Sequence, residues 1–172
     1  MALADNQYQG IVPVPAKIGN GDDPENNLYW GCDEGLKSLF KTSPPWKLVS
    51  SVDPRTSIVL ERCIFKHGSS NTYLIADAYR GREIKTAIEE FFAAASGARA
   101  ERARIQLNGR PVELKLSGGA DLVVYIGHNG LMDFRISPPR APAPARKPVI
   151  VLCCKSRDYF EDMLKQRGRR RS

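Results

Sequence analysis

Apolar residues along this chain fall into short runs with two different periods. Leu28, Cys32, Leu36, Leu39 and Phe40 recur at helical spacing, which predicts an amphipathic helix over 27–41. Asn26 or Asn27 would cap it, and Pro44-Pro45 ends it. A second stripe, Ile84, Ala87, Ile88, Phe91, Phe92 and Ala95, predicts a helix closed by Ser96-Gly97. Tyr159, Phe160, Met163 and Leu164 give an apolar side to a third helix that starts near Arg157. Apolar runs of strand length predict strands over 46–51, 57–65, 72–79, 122–127 and 149–153, with a small one over 131–136. A short first strand is expected over 10–15, where Pro13 and Pro15 suit a sheet edge. Asn108-Gly109, between alternating residues, predicts a hairpin with a type I′ turn.

The three best strands, 73–79, 122–127 and 149–153, are apolar along most of their length. Runs of that kind suit a sheet covered on both faces. Their alternation with helices predicts an α/β fold, a mostly parallel sheet flanked by helices and joined by right-handed crossovers, with the hairpin inserted. In such sheets functional sites lie at the carboxyl ends of the strands.

Two of those ends carry residues able to do chemistry. Leu122-Val123-Val124-Tyr125-Ile126-Gly127 runs into His128, and Val149-Ile150-Val151-Leu152-Cys153 runs into Cys154. If the two strands are neighbours in a parallel sheet, an imidazole and a thiol meet at one edge. That is the layout of a cysteine nucleophile with its proton-transfer partner. The N–H groups of Cys154 and of Asn129 or Gly130 are then the candidates for an oxyanion site. The helix that follows would aim the positive end of its dipole at the sulfur. Cys154 also has a plainer role open to it, as a thiol that packs a strand. His67 also precedes a glycine, but it lies in a polar turn, and Asp77 suits a backbone partner or Arg80 more than the site edge.

The two blocks together resemble the caspase-like superfamily of cysteine peptidases, and within it most closely the legumain family. The shared pattern is a hydrophobic block ending in His, then a second ending in a small residue and Cys; Asn27-Leu28-Tyr29-Trp30 also looks like the start of that family's first helix. The resemblance implies a caspase-like fold over 1–166, a Cys154–His128 dyad, a peptide or protein substrate, cysteine-dependent peptide-bond hydrolysis and no cofactor. Three departures stand out. Asn129 separates His128 from Gly130, where the family has glycine directly after the histidine. Leu152 stands where legumains carry an acidic residue, so asparagine specificity is not implied. The family continues beyond the nucleophile with further sheet and pocket elements, and a C-terminal part is expected to be missing here. A non-catalytic interaction module of the same fold, and an unrelated flavodoxin-like binding protein, are the rival readings.

Composition narrows the field further. A chain of 172 residues with 42% hydrophobic and 26% charged residues suits one soluble domain. No apolar stretch approaches the roughly 20 residues that span a bilayer, and the first residues carry no secretory pattern. Four cysteines in such a chain suit reduced thiols and a cytoplasmic location. No C-x-x-C spacing occurs and there are two histidines, which argues against zinc. No P-loop and no dinucleotide fingerprint is present. The net charge of +7 is concentrated partly in Arg167, Arg169, Arg170 and Arg171, a basic tail over 167–172 expected to be disordered. The body lacks the basic-plus-aromatic pattern of a single-strand binder, so nucleic acid is disfavoured as the main partner. Residues 137–147, rich in proline, read as a linker. Oligomeric state is not encoded in these motifs.

Overall fold

Residues 66–71 join two of the predicted strands, and a connection that short cannot carry the chain across to a parallel neighbour. The computed structural model, which describes residues 1–52, 54, 56–137 and 147–166, shows the consequence. β1 (Trp46–Val52), β2 (Val59–His67) and β3 (Tyr73–Tyr79) form an antiparallel three-stranded sheet in that order. β4 (Ala100–Leu107) and β5 (Arg110–Ser117) form an antiparallel hairpin. β6 (Val123–Ile126) and β7 (Val149–Leu152) pair in parallel. With α1 (Leu36–Thr42), α2 (Ile84–Ala95) and α3 (Ser156–Gln166), the protein is α/β, but its strand pairing is mostly antiparallel. The expected single, mostly parallel sheet is thus divided into three among the described residues, and only β6–β7 keeps parallel pairing. Residues 138–146 of the predicted linker and the basic tail 167–172 lie outside the described residues.

The chain divides into two compact units, Met1–Ile84 and Lys85–Ser172. In the first, Leu3, Trp30, Cys63, Phe65, Ala76 and Ala78 form the buried core. The predicted strand over 10–15 does not form. Val12 is exposed, and proline at 13 and 15 removes two ladder donors. The chain start takes that place instead, as Ala2 bridges in parallel to Tyr79. The predicted helix over 27–41 shortens to α1 because Asn27 is occupied elsewhere. Its buried amide donates to the carbonyls of Ala4 and Asn20 and accepts from the N–H of Ala4 and Tyr29. Tight turns fill residues 28–35, where a Cβ on Gly31 would lie 2.3 Å from the Pro24 and Glu25 carbonyl oxygens.

Glu61, in the central strand, is buried among donors. It accepts from Trp30 Nε1 (2.6 Å), Ser51 Oγ (2.6 Å) and Lys37 Nζ (3.1 Å). Burial works against its charge, but the hydrogen bonds from Ser51 and Trp30 and the Lys37 ammonium hold its carboxyl below the usual range. Asp77 is likewise committed, since Arg62 on the neighbouring strand grips it at 2.6 and 2.7 Å. That cross-strand pair, rather than Arg80 or the site edge, is its role here.

The predicted stripe of α2 is buried, and in the second unit Gly97 closes the helix at φ 77°. The hairpin turns through Asn108 (φ 53°) and Gly109 (φ 75°), as a type I′ turn requires. Phe92, Tyr125 and Phe160 stack, with centroids 5.6 Å apart for Phe92–Phe160 and 5.7 Å for Tyr125–Phe160. Phe91 meets all three rings. This cluster covers the side of the parallel pair that carries Tyr125. By strand alternation Val124, Ile150 and Leu152 share the other side, and all three are exposed. Among the described residues this parallel pair is therefore covered on one face, not two.

Two stability predictions follow from these cores. Replacing Lys37 by Met leaves the Glu61 carboxylate buried without its cation, and urea unfolding is expected to show a loss of about 3–5 kcal/mol. Replacing Phe160 by Ala opens the aromatic stack, with an expected loss of about 3–5 kcal/mol in the same measurement.

Candidate active site at the carboxyl edge of the parallel pair

β6 and β7 lie in register, with Val124 opposite Ile150 and Ile126 opposite Leu152. Each strand runs two residues past its last pair to reach its candidate, so His128 and Cys154 leave the sheet from the same edge. The Gly127 N–H still bonds the Leu152 carbonyl at 3.2 Å. Gly127 then turns at φ 138°, a conformation that favours glycine. On the partner strand Cys153 and Cys154 lead to Lys155, which takes φ 49° and swings the chain into α3 at Ser156. The helix begins two residues after Cys154, close to the expected start.

Side-chain hydrogen bonds hold this edge. Tyr125 Oη donates to the His128 carbonyl at 2.7 Å. Asn129 Nδ2 donates to the Cys154 carbonyl at 2.8 Å, tying the loop after β6 to the loop after β7. Asn129 Oδ1 accepts from Leu131 N–H at 3.2 Å, capping a short 3-10 helix, Gly130–Met132. Asn129 is fully buried. It is thus a structural clasp as well as a backbone candidate for the oxyanion site. The expected strand over 131–136 is replaced by this 3-10 turn and irregular chain, because the Asn129 cap commits the backbone to turning.

The imidazole of His128 is almost fully buried, and Cys154 is exposed. His128 Nε2 lies 2.7 Å from Asp133 Oδ2. Asp133 was not among the sequence candidates. Its only signal was its place just past Asn129-Gly130, a pair able to fold the chain back on itself. Gly130, proposed as an oxyanion donor, spends its N–H on the His128 carbonyl at 3.1 Å, so it is the weakest of the three. Beside these groups an open cavity of about 520 Å³ is lined by residues that include Asp133, Phe134, Tyr159 and Met163.

The other candidates lie elsewhere. His67 Nδ1 faces the Ser69 and Ser70 hydroxyls in the turn after β2, and its ring meets Trp46 edge-on. Cys32 donates to the Leu28 carbonyl. Cys63 is buried, and that burial, with the nearby Glu61 charge, pushes its thiol up to about 11. Burial also pushes Cys153 up to about 11, with the neighbouring Cys154 adding to the shift. Among the described residues no group of His, Cys, Asp or Glu side chains is arranged to hold a metal, and no helix is long and apolar enough to cross a membrane.

Because a raised value keeps a thiol protonated, Cys63 and Cys153 should stay unreactive at pH 8. Brief iodoacetamide treatment followed by peptide mass mapping is expected to label Cys154 ahead of both, and Cys63 only after unfolding. Labelling of Cys63 at the rate of Cys154 in the folded chain would contradict this ordering.

No family model, curated protein or solved structure matches the chain.

Proposed function

We propose that the protein is a cysteine-dependent peptide hydrolase of caspase-like type, most similar to legumains, acting on peptide or protein substrates in the cytoplasm. The observation that carries this reading is the in-register parallel pair whose two ends are His128 and an exposed Cys154. An anionic sulfur at the start of α3 would face the positive end of that helix.

The chemistry balances without a cofactor. His128 takes the proton from Cys154 Sγ, and the sulfur attacks the scissile carbonyl carbon. The carbonyl electrons move to oxygen, held by the N–H groups of Asn129 and Cys154. Collapse breaks the C–N bond, and His128 returns its proton to the leaving amine. Water, deprotonated by His128, then cleaves the thioester and restores the thiol.

One observation favours a second reading, a non-catalytic module of the same fold. The Gly130 N–H is already engaged, which leaves the oxyanion site with fewer donors. Turnover separates the two. With a mixed peptide library, Cys154→Ala is expected to abolish cleavage, and His128→Ala to lower it by roughly 10²–10⁴-fold. A wild-type chain whose Cys154 alkylates readily but cleaves no peptide would establish the non-catalytic module instead.

A further inference from the structure

His128 has two ring nitrogens, and one of them is already assigned by its neighbour. Nε2 sits 2.7 Å from Asp133 Oδ2, with the imidazole 8% exposed and the carboxylate 33% exposed. An ionised carboxylate only accepts hydrogen bonds, so Nε2 must carry the hydrogen. A neutral imidazole has one N–H, so Nδ1 is then the acceptor. We infer that Asp133 is the positioning carboxylate of His128, holding the ring in its Nε2–H form and leaving Nδ1 as the atom that exchanges a proton with Cys154. This inference rests on the peptidase reading for its last clause only.

The local fold places Asp133 for this role. It follows directly on the Gly130–Met132 turn, and its own N–H bonds the Gly130 carbonyl at 2.9 Å. Asn129 caps the same turn and clasps the Cys154 carbonyl. One tight turn thus fixes the ring, its carboxylate and the thiol-bearing loop together. Two further consequences are chemical. The carboxylate stabilises the imidazolium that forms when His128 takes the thiol proton, and it fixes both the orientation of the ring and its tautomer.

Nitrogen-15 NMR of the full chain, with His128 assigned by comparison with His128→Ala, reads the tautomer directly. The neutral ring is expected as the Nε2–H form, and as a mixture or the Nδ1–H form in Asp133→Asn. The second readout is the iodoacetamide rate of Cys154 at neutral pH, where a thiol without its base is only a few per cent thiolate. Asp133→Asn is expected to slow that rate about tenfold, within the roughly 30-fold range between a few per cent thiolate and full ionisation. Asp133→Glu should recover part of the rate, and Asp133→Asn should have no further effect in His128→Ala. A wild-type ring found in the Nδ1–H form overturns the inference, as does a rate that Asp133→Asn still lowers when His128 is absent. A wild-type Nε2–H ring with Cys154 rates that ignore His128 keeps the assignment of Asp133 and removes the peptidase reading.

Discussion

Tyr125 joins the core of the second unit to its candidate site. Its ring is buried in the aromatic stack with Phe91 and Phe160, while its hydroxyl donates to the His128 carbonyl. Burial of an aromatic side chain is among the larger single contributions to a core. Here that contribution also fixes where the chain leaves β6. The strand cannot slide by one residue without exposing Tyr125 and turning the exposed Val124 inward. The register that puts Ile126 opposite Leu152 is therefore set by packing at Tyr125, upstream of the candidate His128. Asn129 then carries the constraint across to the thiol-bearing loop through a single amide.

Much of this was legible in residue order. The stripe from Ile84 to Ala95 is buried as its spacing implies, and Asn108-Gly109 turns as its residue types require. His128 and Cys154 were visible because each ends an apolar run, and a strand's end needs no tertiary knowledge to locate. Asp133 was not visible. It lies in a stretch whose apolar residues, Leu131, Met132, Phe134 and Ile136, imitate a strand, and only the buried cap at Asn129 turns that stretch into a 3-10 helix. A side-chain hydrogen bond overrode a hydrophobic pattern, as short polar residues do at turns. Asn27 acts in the same way on the first helix, where its amide bridges Ala4 and Asn20 and leaves residues 28–35 to tight turns.

Strand direction failed for a different reason. Apolar content reports burial and says nothing about the neighbour's direction. β3 is apolar enough for a parallel sheet, yet the short turn before it forces antiparallel pairing with β2. Loop length was the deciding signal, and it was present in the sequence. The parallel pair β6–β7 is separated by a long connection, which is the condition parallel pairing demands.

The adjacent cysteines show how little separates a packing thiol from an exposed one. Successive residues leave an extended chain in opposite directions. Cys153 therefore turns toward the interior, where burial holds its thiol protonated. Cys154 emerges into solvent, one residue before the left-handed turn at Lys155. The same two residues shifted by one position would exchange these environments. What selects Cys154 is then not its own identity but the β7 register, which the Tyr125 side of the sheet fixes through β6. The nucleophile proposed for this chain is in that sense chosen by the aromatic core around Tyr125.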